Sequence, residues 1–155
     1  KLKTMETITE KTSKNLKELI IINNDRYEGY KTAAEETKDM DLKALFQSYS
    51  AQSNQFSEEL RDIMPDYKYS PDEDETKTSG KLYRVFMDMK AALEGKDRKG
   101  ILASCEFGED EAKKTYDEIL EHPEELNHET LVVVRKQQIE LQKAHDKIKS
   151  MRDRA

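Results

Sequence analysis

Four stretches of the chain space their apolar residues at steps of three and four, the period of a helix that buries one face. The first reads Ile8, Leu16, Leu19/Ile20, Tyr27, Tyr30 and Ala34, with Asn23 in its middle. The second reads Leu42, Leu45/Phe46, Tyr49, Phe56, Leu60 and Ile63, interrupted at Gln52 or Ser53. The third, Leu102, Cys105, Ala112, Tyr116 and Ile119/Leu120, is broken by Glu109, and the fourth, Leu131, Val134, Leu141, His145 and Ile148, by Gln138. Stacked side by side, the interruptions fall at about one height. The pattern therefore predicts four long helices around a shared apolar interior that is crossed by a polar layer.

Local signals place the ends. Thr7-x-x-Glu10 has capping-box spacing for the first helix, which can begin near Thr4 or Thr7. Lys38-Asp39-Met40-Asp41 separates it from the second, with Asp39 or Asp41 as the next N-cap, and Met64-Pro65 ends the second. Residues 65–80 hold two prolines and the acidic run Asp72-Glu73-Asp74-Glu75, and read as a loop. A short helix is expected from about Lys81 to Leu93, Gly95 ends it, and Asp97 caps the third long helix. His122-Pro123 breaks that helix, and the last begins at Pro123 or Asn127.

The links then set the topology. Short links make helices one and two, and helices three and four, antiparallel hairpins. A long helix of ~24 residues spans ~36 Å at about 1.5 Å per residue. The crossover of about residues 65–97 is long enough to traverse that length, so helices two and three run parallel. Two antiparallel hairpins joined by one long crossover, here with a short extra helix in it, is the ferritin-like arrangement. The expected fold is thus an all-α ferritin-like four-helix bundle, with residues 1–155 forming one domain.

Composition narrows the setting. Charged residues make up 39% of the chain and hydrophobic ones 35%, which suits solvated helices around a thin core. A net charge of −6 argues against nucleic acid, whose phosphates need a basic face. No apolar run approaches the ~18 residues that span a bilayer, no n-region and h-region pair begins the chain, and no helix pairs a lysine-rich face with exposed aromatics. The single cysteine, Cys105, allows no internal disulfide and fits a reducing compartment, so a cytoplasmic location is expected.

Several residue runs are familiar. The first helix reads Asn24-Asp25-Arg26-Tyr27-Glu28-Gly29-Tyr30-Lys31-Thr32-Ala33-Ala34-Glu35 and the third Cys105-Glu106-Phe107-Gly108-Glu109-Asp110-Glu111-Ala112, then Tyr116. The last closes with Gln138, His145-Asp146 and Arg152-Asp153. From about Thr7 to Asp153 the chain resembles a bacterial ferritin-like four-helix-bundle family of unknown function, domain of unknown function 2383. The resemblance implies a fold and a bacterial cytoplasmic setting, with no reaction to inherit. The family often has a His-Arg-x-aromatic step on the crossover helix. Here it is Tyr83-Arg84-Val85-Phe86, so no role of that histidine carries over.

The polar layer is the candidate site, comprising Asn23, Tyr27, Gln52, Glu109, Gln138 and His145. A ferritin-type di-iron centre takes one Glu from each of two helices and a Glu-x-x-His from each of the other two. Only Glu109 is a carboxylate at the right height. Gln142-x-x-His145 has the i, i+3 spacing but carries Gln for Glu and sits about one turn too late. The amides read as a hydrogen-bonded core layer that fixes register, with Gln138, Asn23 or the Tyr27 hydroxyl available to Glu109. On that reading Glu109→Gln should leave stability unchanged or higher.

Other chemistries fail on their spacing. Gly95 to Gly100 has the glycines of a phosphate loop, but Ile101-Leu102 replace its Lys-Ser/Thr. The expected function is therefore non-catalytic, without a cofactor: interaction or self-association as a homo-oligomer through a helix face, or a stress-linked scaffold. The alternative is a di-iron or iron-handling oxidoreductase with degenerate ligands, for which Glu109 would be necessary.

Overall fold

The computed structural model describes residues 7–71, 88, 91–95 and 97–155, and among these no strand occurs. Four long helices follow one another: α1 Ile8–Glu36, α2 Met40–Asp62, α3 Arg98–Leu120 and α4 His128–Asp153. Most of the short crossover helix expected over residues 81–93 lies outside the described residues, as do the acidic run 72–75 and the 83–86 step. Residues 91–94 are helical. No helix among the described residues is long and apolar enough to cross a membrane.

The ends follow the capping chemistry of the sequence. The Thr7 hydroxyl accepts from the Glu10 N–H, Asp97 from Gly100 and Asn127 from Thr130. Asp39 occupies the N-cap of α2 without a side-chain bond. Pro123 does not begin α4; Pro123–Glu125 forms one 3₁₀ turn, and the helix starts after Asn127. Thr12 on α1 holds that turn, donating to the Glu125 carbonyl and accepting from the Asn127 N–H, so the α3–α4 connection is fixed against the start of the chain.

Cross-helix bonds give the directions. Asn24 meets Ser57 while Lys43 reaches the Ala34 carbonyl, so α1 and α2 are antiparallel. Asn23 meets Tyr116 while Tyr30 meets Glu109, so α1 and α3 are also antiparallel. Tyr116 and Gln137 pair toward one end and Asp110 and His145 toward the other, which makes α3 and α4 antiparallel as well. It follows that α2 and α3 are parallel, as the length of the crossover requires.

The interior is divided. One apolar cluster gathers Tyr30, Leu42, Phe46, Leu102, Cys105 and Ile148 with their neighbours. A second gathers Leu16, Ile20, Phe56, Leu60, Tyr116, Val134 and Leu141 with theirs. Between them in sequence lie Asn23, Arg26, Ser53 and Glu109, and Gln137 stands among the second cluster's residues on α4; all five are fully or almost fully buried. Burying a leucine- or phenylalanine-sized side chain contributes about 1.5–3 kcal/mol. The two clusters can therefore hold a polar seam between them, provided its groups are paired.

Candidate functional site

The seam takes residues from all four helices. At its centre Arg26 of α1 faces Glu109 of α3, with Nε 3.1 Å and Nη2 2.9 Å from Oε1. The Tyr30 hydroxyl, one turn further along α1, donates to the same oxygen at 2.5 Å. The remaining guanidinium nitrogen, Nη1, turns to α2 and donates to Ser53 Oγ at 2.7 Å and to the Tyr49 carbonyl at 3.3 Å. The rings of Tyr30 and Tyr49 lie 5.2 and 5.1 Å from the guanidinium carbon, close enough for a cation–π contribution on each. The arginine is held by a carboxylate, a hydroxyl, a carbonyl and two aromatic rings.

From Ser53 the bonds run on to α4. Ser53 donates to Asn23 Oδ1 at 3.0 Å, and Asn23 Nδ2 donates to the Tyr116 hydroxyl at 2.7 Å and to the Leu19 carbonyl at 2.8 Å. Tyr116 donates to Gln137 Oε1 at 2.6 Å, and Gln137 Nε2 returns to α2 through the Phe56 carbonyl and Glu59 Oε1. One unbroken path thus joins all four helices, from the buried Glu109 to the part-exposed Glu59.

Burial sets the electrostatics. It works against the Arg26 charge, but the Glu109 carboxylate, with the Tyr30 and Tyr49 phenols, more than restores it and holds the guanidinium above its ordinary value. Burial, then the Glu109 charge, push the Tyr30 phenol well above 10.0 and the Tyr49 phenol up to about 12. The same two causes raise the Cys105 thiol, and burial raises Tyr116. Each of the phenol and thiol shifts favours the neutral form, so none of them prepares a nucleophile at neutral pH.

Of the residues expected in the layer, Asn23 and Glu109 are there. Gln138 is not: it faces the outer edge between α3 and α4, where it donates to Asp117, and the neighbouring Gln137 takes the core position. Both spacings satisfy the helical period, because 137 and 138 each lie three or four residues from Val134 and Leu141. For the same reason Arg26, rather than Tyr27, fills the layer on α1; Tyr27 is half-buried, with Lys31 over its ring. On α2 the layer residue is Ser53. Gln52 is half-buried on the side facing α4, and its Oε1 accepts from none of the described residues.

His145 also stands outside the layer. It bridges carboxylates along the outer α3–α4 edge, with Nε2 2.9 Å from Asp110 and 3.8 Å from Glu106, and Nδ1 3.2 Å from Asp146. Arg152 pairs with the same Glu106. The partners of Glu109 that the apolar stripe suggested are replaced by two it did not, Arg26 and Tyr30. The signal was present: a lone carboxylate on a buried stripe needs a cation, and Arg26 lies three residues from Asn23 and four from Tyr30.

The donor set decides what the layer can hold. Two iron ions bring at least four positive charges and call for several anionic oxygens. The layer offers one fully buried carboxylate, and a guanidinium already stands 2.9 Å from it. These residues do not fit a di-iron centre. The one group of three metal-ligating side chains that the described residues bring together, His122, Glu124 and Glu125, sits in the turn between α3 and α4 with its ligand atoms within 4.8 Å of one another. It lies at the end of the helices rather than in their interior.

Four long helices around an internal polar layer define an all-helical protein. Residues 11–122, more than half of the chain, match the family model described as a domain of unknown function (DUF2383), and the chain belongs to that family. The match takes in α1, α2, the crossover and α3, and with them Asn23, Arg26, Tyr30, Ser53, Glu109 and Tyr116; Gln137 lies beyond it. No curated protein and no solved structure matches the chain.

Proposed function

We propose that this chain is a non-catalytic ferritin-like four-helix bundle, cytoplasmic, whose interior is purely structural and whose work is done at its surface by self-association. The ferritin-like assignment is supported by the helix order, with α2 parallel to α3 across a long connection. The observation that carries the functional reading is the Arg26–Glu109 pair. Ferritin-type bundles bring carboxylates together at mid-height and balance them with metal. Here the chain supplies its own cation at that level, permanently charged and covalently attached. The Glu109 charge is balanced without a ligand, through Oε1, while Oε2 accepts from none of the described residues, and the tyrosines and cysteine around it are held neutral.

Incubation of the protein with ferrous iron in air, followed by metal analysis by mass spectrometry, tests this reading. Iron well below one per chain, with no ferric absorption band, is expected. Near two irons per chain, with a band lost in Glu109→Ala, would overturn it and establish the iron-handling alternative.

A further inference from the structure

The outward faces of α1, α3 and α4 carry charges, as in Glu28 and Lys31, Lys114 and Glu118, and Lys143 and Lys147, beside the exposed apolar Phe107 on α3 and Val132 and Ile139 on α4. That of α2 does not. From residue 44 to residue 57 the helix carries no charged residue, the longest such run in a chain that is 39% charged. Its water-facing side chains there are Ala44, Gln47, Ser48, Ala51, Asn54 and Gln55, all exposed. Soluble surfaces are ordinarily a mixture of both charges, and depletion of charge is the compositional mark of an interface centre.

We propose that this face of α2 is the contact between two copies of the chain, paired antiparallel about a two-fold axis near Ala51. The proposal rests on the self-association put forward above and names its surface. In a two-fold interface the same patch meets itself, so a charged residue near the axis faces its own like charge at a cost of several kcal/mol. Amides and hydroxyls both donate and accept, and so tolerate their own copy. The small side chains of Ala44, Ser48 and Ala51, at i, i+4 and i+7, let two backbones approach. No large apolar side chain stands among the six to enter a lipid surface, and none carries a charge to grip nucleic acid or a charged peptide.

The flanking residues choose the direction. Parallel pairing would set exposed Glu58 and Asp62 against their own copies. Antiparallel pairing about Ala51 instead sets Glu58 opposite Ala44, and Asp62 opposite Met40, a large apolar residue left 75% exposed in the single chain.

Sedimentation across the micromolar range, with engineered cysteines, tests the proposal. The native chain sediments as a dimer. Ala51→Glu raises the dissociation constant at least about tenfold with unchanged circular dichroism, whereas Lys143→Glu leaves the dimer intact. Under mild oxidation Ala51→Cys cross-links to itself across the axis, while the native Cys105, being buried, stays silent. Ala44→Cys does not, its copies being ~21 Å apart along the axis at about 1.5 Å per residue; mixed with Glu58→Cys, it does. A monomer at every concentration would overturn both this face and self-association itself. A dimer that survives Ala51→Glu and does not cross-link at position 51 would overturn this face alone. Self-linking of Ala44→Cys would overturn the antiparallel arrangement.

Discussion

Arg26 and Glu109 meet across the α1–α3 interface at 2.9 Å, with 1% and 0% of their side chains exposed to water. Removing two charges from water costs several kcal/mol per ion, which their attraction offsets only when the remaining hydrogen-bonding capacity is also used. The arginine uses all three of its nitrogens. The glutamate does so less fully: Arg26 and Tyr30 all converge on Oε1, while Oε2 accepts from none of the described residues. The pair is therefore expected to set register and specificity more than to add net stability. It admits one vertical setting of α1 against α3, and through Ser53 it ties that setting to α2.

Alkaline pH should unfold the protein in a defined window. A group whose proton is held more tightly in the folded state contributes stability that is complete below its ordinary pKa and is lost as the pH rises through the folded value. For Tyr49 that window runs from 10.0 to about 12, and burial places Tyr30 in the same sense. A titration of tyrosinate absorbance should therefore show these phenols ionising late and together with loss of helix. Independent ionisation near 10 with the helices intact would contradict the burial described.

Cys105 is buried and its thiol is pushed up by burial and by Glu109, so the native protein should resist an aromatic disulfide reagent at neutral pH. The labelling rate should rise with denaturant in step with unfolding. Rapid labelling of the folded protein would show that the end of the interior around Tyr30 and Leu102 opens on its own.

Gln137 and Gln138 offer a direct comparison of adjacent residues. Gln137→Leu leaves the buried Tyr116 hydroxyl without its acceptor, which should cost about 1–3 kcal/mol in urea unfolding. Gln138→Ala removes one contact at the outer edge and should stay within about 0.5 kcal/mol. The reverse order would mean that α4 is rotated relative to the arrangement described.

Much of this was legible in the sequence and some of it was not, for reasons that can be located. Helix ends with side-chain chemistry of their own, such as Thr7, Asp97 and Asn127, could be placed. The number of long helices followed from the apolar stripes and their directions from the lengths of the links. The height of the polar layer could be read from Asn23 and Glu109, which interrupt otherwise apolar stripes. Its membership could not, because a period of 3.6 leaves residues i+3 and i+4 both admissible. Preferring the less polar of two candidates selects Tyr27 over Arg26, and the alternation on α4 gives no ground for choosing Gln137 over Gln138. Arginine is rarely fully buried unless paired, and its partner lies 83 residues away in the sequence. The requirement that Glu109 be neutralised was the only clue, and it acts through the fold rather than along the helix.

The account stands most directly on the coupling between Arg26 and Glu109, measured by a double-mutant cycle in urea. Arg26→Met and Glu109→Gln should each cost about 3–5 kcal/mol, because each leaves the other residue imperfectly paired in the interior. This reverses the near-neutral effect that an amide layer around Glu109 would give. The double replacement Arg26→Met with Glu109→Gln should recover at least about half of the summed loss, since no buried charge remains. Single changes below about 1 kcal/mol, or losses that simply add, would show that the two charges do not depend on each other. The reading of the layer as a closed structural pair would then fail.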